Sequence, residues 1–234
     1  MLQKHRGPSN IRRRTYACST ACAAIFVAGC GQQAAPPSSN HLASIQSAVI
    51  CPAPPTHRAV TSSSHAFSAA PPRVIERNVG YCAYIDTNRG VVSVRLRPEH
   101  APSAVNDFVY LAEHGFYDGL TFFQTCPAVT GPTCPAHATA AIAGDPTATG
   151  AGGPGYTVTA DPVIGEYLFG AVAMYGASPS TIGSQFFISK GDSSALARKY
   201  DIFGQVTDGI PALALLAKGD TILWIAVVPT APEP

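Results

Sequence analysis

The chain changes character near Arg73. No Asp or Glu precedes Glu76, whereas Lys4, Arg6, Arg12, Arg13, Arg14, Arg58 and Arg73 all stand before it. The segment between the first basic cluster and Arg73 is dominated by Ala, Ser and Pro, which bury too little apolar surface to offset the cost of ordering the backbone. Whatever folds is therefore expected from residue 77 onward, leaving about 150 residues, enough for one ordinary domain. Past the break stand eight basic and fourteen acidic residues, a balance of −6 that argues against a nucleic-acid-binding domain. Only 12% of residues are charged, and 21 are Gly and 21 Pro, which excludes a coiled coil or long-helix protein.

Residues 1–29 read as an export signal. Five positive charges in the first fifteen residues are followed by the uncharged apolar run Tyr16 to Gly29, too short to span a bilayer core that needs about 20 residues. Val27-Ala28-Gly29-Cys30 follows the layout of a bacterial lipobox, in which the cysteine is acylated and becomes the first residue of the mature chain. The expectation is an exported protein, lipid-anchored to the bacterial cell membrane through Cys30, with a mature net charge of −4. Residues 30–76 then read as a Pro/Ser/Ala-rich disordered tether, extended by its scattered prolines. Ser47 to Cys51 is a stretch that could instead add a strand or pin itself to the domain.

From residue 77 the pattern is that of strands. Tyr81 to Ile85 is aromatic and β-branched, Asp86-Thr87-Asn88-Arg89-Gly90 supplies a turn, and Val92, Val94 and Leu96 alternate with Ser93, Arg95 and Arg97. This predicts a hairpin with one buried face. Pro102 to Gly115 places Val105, Phe108, Val109 and Ala112 at helical spacing, with proline in the first turn and glycine after the last. Short apolar runs follow at Leu120–Phe123, Ala140–Ala143, Tyr156–Val158, Leu168–Met174, Phe186–Ser189 and Ile202–Val206. A helix near Ile210–Lys218 and a strand at Thr221–Val228 come last, with 229–234 as a tail. Many short strands with two helices suggest a closed or nearly closed β-barrel.

Several motifs in this region occur together and in order. Ala101-Pro102, Val105-Asn106-Asp107-Phe108 and Gly115 to Phe122 are followed by Gly144-Asp145-Pro146-Thr147 and Gly152-Gly153-Pro154-Gly155-Tyr156. Gly183-Ser184-Gln185-Phe186-Phe187-Ile188 and Tyr200 to Val206 complete the series. The series resembles the cyclophilin family of peptidyl-prolyl cis-trans isomerases over residues 77–228. The glycine-rich segment lacks the Lys-Ser/Thr of a phosphate cradle and reads better as a loop beside a groove.

The resemblance implies a mainly β fold, a closed eight-stranded antiparallel barrel capped by two α-helices, and isomerisation of X–Pro amides without a cofactor or metal. In substrate binding, Phe187 and Leu196 match the family's pocket residues for the proline ring, and Gln185 matches a glutamine that holds the peptide backbone. Phe186 reads as barrel core. The catalytic arginine of the family falls at Gln124, a shorter and neutral donor; a loss of about 1.5–3 kcal/mol would slow the reaction roughly 10- to 150-fold. Ile142 stands in place of a second backbone-binding glutamine, Ala140 and Thr139 in place of larger apolar residues, Gly176 in place of asparagine, Ala195 in place of a tryptophan, and Tyr200 in place of histidine. The groove is expected to be wider and weaker than is usual in the family.

Outside the signal and Cys30, the cysteines are Cys51, Cys82, Cys126 and Cys134, an even number that fits two disulfides in an exported protein and allows three pairings. Cys126 with Cys134 would close the insertion between them beside the groove, and Cys51 with Cys82 would fasten the tether to the first strand. A metal site at Cys126, Cys134 and His137 would lack a fourth ligand. Two functions lead, ahead of a purely structural envelope lipoprotein with no groove function, against which Phe187, Gln185 and Leu196 argue. One is a weakened isomerase acting on Pro-containing segments of exported proteins; the other is a binding module that holds such segments without turning them over. Either is expected to be a monomer.

Overall fold

The computed structural model describes residues 51–56, 64–126, 139–176, 178, 180–191 and 200–232. The first two strands, β1 (Gly80–Thr87) and β2 (Gly90–Leu96), form the predicted hairpin, with Thr87 opposite Gly90 across the two-residue turn Asn88-Arg89. It is buried on both faces rather than one: Cys82, Tyr84, Ser93 and Arg95 are buried along with Ala83, Ile85, Val92 and Val94. Its outer face is covered by the chain segment around Cys51, by Trp224 and by the end of the last strand.

Helix α1 (Pro102–Glu113) buries Val105, Phe108, Val109 and Ala112, the stripe its spacing predicts, and Leu111 as well. Ala101 offers its N-terminus no side-chain cap. Asp161 does so from a distance, its Oδ2 accepting the Ser103 and Ala104 N–H groups at 2.7 and 3.0 Å.

The remaining strands are β3 (Gln124–Cys126), β4 (Ala140–Ala143), β5 (Val158–Thr159), β6 (Ala171–Met174), β7 (Thr181–Ile182), β8 (Phe186–Ser189), β9 (Ile202–Asp208) and β10 (Ile222–Thr230). Helix α2 (Ile210–Leu215) lies between the last two. Eight of the strands form one sheet in the order β10-β1-β2-β9-β6-β8-β4-β3, every neighbouring pair antiparallel; β5 and β7 pair separately. The ladders thus make an open, curled sheet, with two helices among the described residues, and not the closed barrel expected from the sequence. Its free edges, β3 and β10, approach through the residues before β3 and the start of β10. Thr121 bridges Thr221, and Gly119 and Phe122 donate N–H groups to the Ile222 and Asp220 carbonyls at 2.8 Å.

Side-chain alternation sorts the central strands into two clusters. Ala141, Ala143, Val172, Met174, Phe186 and Ile188 join the helices in the main core, where Phe186 was expected. Ala140, Ile142, Ala171, Ala173 and Phe187 form a second cluster on the opposite face.

Two domain boundaries move. Residues 64–76 are held on the domain: Asn106 accepts the Val74 and Ile75 N–H groups at 2.7 and 3.2 Å and donates to the Pro72 carbonyl, and Ile75 is buried. Cys51 is disulfide-bonded to Cys82, and the Tyr84 hydroxyl donates to the Pro52 carbonyl at 2.5 Å. These parts of the expected tether therefore belong to the fold, because long-range partners satisfy a backbone that local composition leaves unsupported. At the other end, β10 runs to Thr230, two residues into the expected tail. Residues 1–50, the insertion 127–138 and Leu196 lie outside the described residues.

Candidate active site

The second cluster owes its shape to register. Gln124 lies opposite Ile142, Ile142 opposite Phe187, Phe187 opposite Ala173, and Ala173 opposite Ile202. Residues directly opposed in antiparallel ladders point to the same face, so these five form one row across β3, β4, β8, β6 and β9. The sequence reading named Gln124, Ile142 and Phe187. Ala140, also on β4, sits opposite Ser189 and Cys126, next to this row.

Tyr200 closes one side. Its ring lies 6.5 Å from Phe187 and 5.5 Å from Tyr175, and its hydroxyl donates to the Gly176 carbonyl at 2.8 Å. Burial pushes its pKa up, so the phenol stays protonated and remains a donor. Tyr167 holds it there. The Tyr167 hydroxyl donates to the Tyr200 carbonyl at 2.7 Å and accepts the Tyr200 N–H at 2.8 Å, while the Tyr167 ring packs 5.3 Å from Phe187. Tyr167, Tyr175, Phe123 and Ile202 were not singled out from the sequence. The apolar run Leu168–Met174 pointed past Tyr167 to residues of which Leu168 and Phe169 are exposed.

The glycine-rich segment forms the other side. Buried Asp145 organises it, accepting the N–H groups of Thr147 (2.7 Å), Thr149 (3.0 Å), Gly150 (2.5 Å) and Gly152 (3.1 Å) and the Thr147 hydroxyl (2.8 Å). Burial alone would raise the pKa of this carboxyl, but the hydrogen bonds, that of the Thr147 hydroxyl foremost, bring it below the ordinary value. Gly152 must be glycine, since a Cβ there would stand 2.0 Å from Asp145 Oδ1. The loop so shaped turns the Gly150 and Gly152 carbonyls toward Gln185, whose amide donates to them at 3.1 and 2.7 Å. Gln185 Oε1 is buried with no hydrogen-bond partner among the described residues. Beside it opens a cleft of about 220 Å³ lined by Gly150 to Pro154, Tyr156, Tyr175, Gly183 and Gln185.

The face thus combines an apolar floor around Phe187, a neutral amide at Gln124 and a buried amide acceptor at Gln185. It can hold an apolar ring and offer hydrogen bonds to a peptide without a charged side chain in the row. Of the remaining expected site residues, Leu196, Cys30 and Cys134 lie outside the described residues, as does the side chain of Cys126 at the end of β3.

Residues 82–230 match the family described as cyclophilin type peptidyl-prolyl cis-trans isomerase/CLD. A peptidyl-prolyl cis-trans isomerase of Synechococcus elongatus is 33% identical over 151 residues, covering 64% of this chain and 97% of the relative. Peptidyl-prolyl cis-trans isomerase B of Bacillus subtilis is 35% identical over 151 residues, covering 63% and 96%. The crystal structure of a cyclophilin type peptidyl-prolyl cis-trans isomerase of Cryptosporidium parvum is similar with a TM-score of 0.55 and 25% identity over 64% of this chain and 98% of that one. A crystal structure under the same name, in the presence of the dipeptide Ala-Pro, gives a TM-score of 0.54 and 26% identity over 63% of this chain and 98% of that one.

Proposed function

The chain belongs to the cyclophilin-type peptidyl-prolyl cis-trans isomerase family, and from that premise we propose that the Gln124–Phe187 row binds Pro-containing segments of exported proteins and turns their X–Pro bonds slowly. The observation that carries this is the single row joining Phe187, Ile142 and Gln124 across three strands.

Rotation about an X–Pro amide must break the resonance between carbonyl and imide nitrogen, which sets a barrier of about 18–20 kcal/mol. No covalent bond changes. A proline ring seated against Phe187, flanked by Ala173 and Tyr200, would be held while the preceding carbonyl swings. Gln185 Oε1 would accept an N–H of the peptide backbone, and a donor toward the imide nitrogen would draw its lone pair out of resonance as the bond twists. In this row the donor is the Gln124 amide. A neutral donor stabilises developing charge less than a guanidinium does, so turnover should fall roughly 10- to 150-fold below an isomerase with arginine there.

Line-shape or exchange NMR on an X–Pro peptide tests the proposal. Weak but saturable acceleration of exchange is expected. Peptide binding with no acceleration would instead support a holding module, a reading that the neutral Gln124 also favours. No binding at all would defeat both.

Export and anchoring belong to the same proposal. Cys30 would carry the lipid, and the Cys51–Cys82 disulfide suits an oxidising compartment. Mass spectrometry of the membrane fraction should find a diacylglycerol-bearing N-terminus at Cys30, and Cys30→Ser should release the protein; a mature chain beginning elsewhere would refute the anchor.

A further inference from the structure

Phe67 lies outside the residues that match the family, in a Ser/Ala-rich stretch, yet it is tied to the rim of the groove. Its ring sits 5.4 Å from Tyr110, 5.9 Å from His114, 6.3 Å from Phe116 and 6.5 Å from Tyr156, bridging the end of α1 and the glycine-rich segment. Its N–H donates to the Pro154 carbonyl at 2.7 Å. Gly155 has φ +95°, and a Cβ there would stand 2.5 Å from the Phe67 carbonyl oxygen, so the two backbones meet where only glycine fits. Downstream, Asn106 fastens residues 72–75 to the middle of α1.

Pro154 and Tyr156 line the cleft beside Gln185. Contacts therefore run without a break from Phe67 through Pro154 and Tyr156 into the loop whose Gly150 and Gly152 carbonyls hold the Gln185 amide. We infer that residues 64–76 form a strap that fixes the glycine-rich rim in its peptide-accepting shape, with Phe67 as the positioning residue. This rests on the reading of the groove as an X–Pro peptide site. Phe67 touches neither the Phe187 row nor Gln124, so its effect falls on peptide binding and not on bond rotation.

Full-length Phe67→Ala and Phe67→Tyr proteins distinguish the possibilities. For Phe67→Ala, the KM for an X–Pro tetrapeptide should rise about five-fold or more with kcat within two-fold of wild type, and Phe67→Tyr should restore it. Amide hydrogen exchange, read without any peptide, should accelerate at least ten-fold at Gly150 and Gly152, which donate to Asp145, and remain unchanged at Val94 and Ile85 in the main core. Unchanged protection at Gly150 and Gly152, or equal acceleration at all four positions, overturns the strap. A wild-type protein that binds no X–Pro peptide, with the glycine amides still responding to Phe67→Ala, overturns the peptide role of the rim and the functional reading while leaving the mechanical link in place.

Discussion

The Tyr156 hydroxyl donates to Asp107 Oδ1 at 2.7 Å across the seam between α1 and the glycine-rich segment. Asp107 is fully buried, and its Oδ2 has no partner among the described residues. Burial pushes this carboxyl up to about 7 despite the Tyr156 hydrogen bond, and the buried Tyr117 phenol nearby is pushed up as well. Asp201, buried beside the Asp161 N–H that donates to it, is pushed up to about 6.

The sign follows from linkage. A carboxyl with a raised folded-state pKa binds its proton more tightly folded than unfolded, so its contribution is greatest below the unfolded value near 3.8 and is lost as pH rises through the folded value. Unfolding free energy should therefore fall between about pH 4 and pH 7, by on the order of 3–4 kcal/mol from Asp107 alone. Asp107→Asn should flatten this slope and make the variant more stable than wild type at pH 8. Urea titrations at several pH values would measure it, and an unchanged slope in the variant would show that Asp107 is not its source.

The Cys51–Cys82 disulfide joins residues 31 apart in sequence and covers the outer face of β1 beside Tyr84 and Trp224. Closing a loop of this length stabilises a fold by about 3–4 kcal/mol through the unfolded chain. Cys82→Ser, or reduction of the wild type, should lower the melting temperature by roughly 10 °C. A shift below about 2 °C in calorimetry would mean that Pro52 and its neighbours stay docked without the bond.

Asp145 gathers six hydrogen bonds, from four backbone N–H groups and the Thr147 and Thr149 hydroxyls. Asp145→Ala leaves those donors without their acceptor, and a cost of about 3 kcal/mol or more is expected, together with weaker peptide binding as Gln185 loses its fixed carbonyl partners. Asp145→Asn keeps one acceptor oxygen and should fall between the two. Denaturant midpoints and peptide titrations on the same samples would establish the order.

What the sequence revealed and what it hid divide along physical lines. Strands β4 and β8 were legible as short apolar runs that are buried throughout, and helix α1 by its apolar period; Phe186 and Phe187 fall to opposite faces as alternation requires. Strand β3 was not legible. Gln124-Thr125-Cys126 has no apolar period and is a strand because Ala140 to Ile142 pair with it. Closure was overestimated because local pattern counts strands without saying whether the first and last meet. Phe67 was hidden for a related reason: one aromatic in a Ser/Ala/Pro stretch carries no period, and its burial is decided by Tyr110, Phe116 and Tyr156 far along the chain. In the candidate site, Phe187, Ile142 and Gln124 were named through resemblance, whereas Tyr167 lies in an irregular segment and becomes visible only through its paired bonds to Tyr200.

Gln124 is the neutral donor proposed to act on the imide nitrogen. Gln124 shares its row with Ile142 and Phe187, so an arginine at this position would start from the same backbone point with a longer reach and a fixed positive charge. An interaction made mainly as the imide nitrogen becomes pyramidal raises kcat and leaves ground-state affinity nearly unchanged. Gln124→Arg should then increase turnover of an X–Pro peptide about ten-fold or more while its Kd changes less than two-fold. The gain should stop short of the full 150-fold, because Ile142 and Ala140 offer the peptide backbone no hydrogen bonds where larger or polar side chains would grip it. Gln124→Ala gives the complementary measurement: turnover should fall toward the uncatalysed rate with binding retained. Undiminished turnover in Gln124→Ala would mean that some other group donates to the imide nitrogen, and the role given to this row would have to be withdrawn.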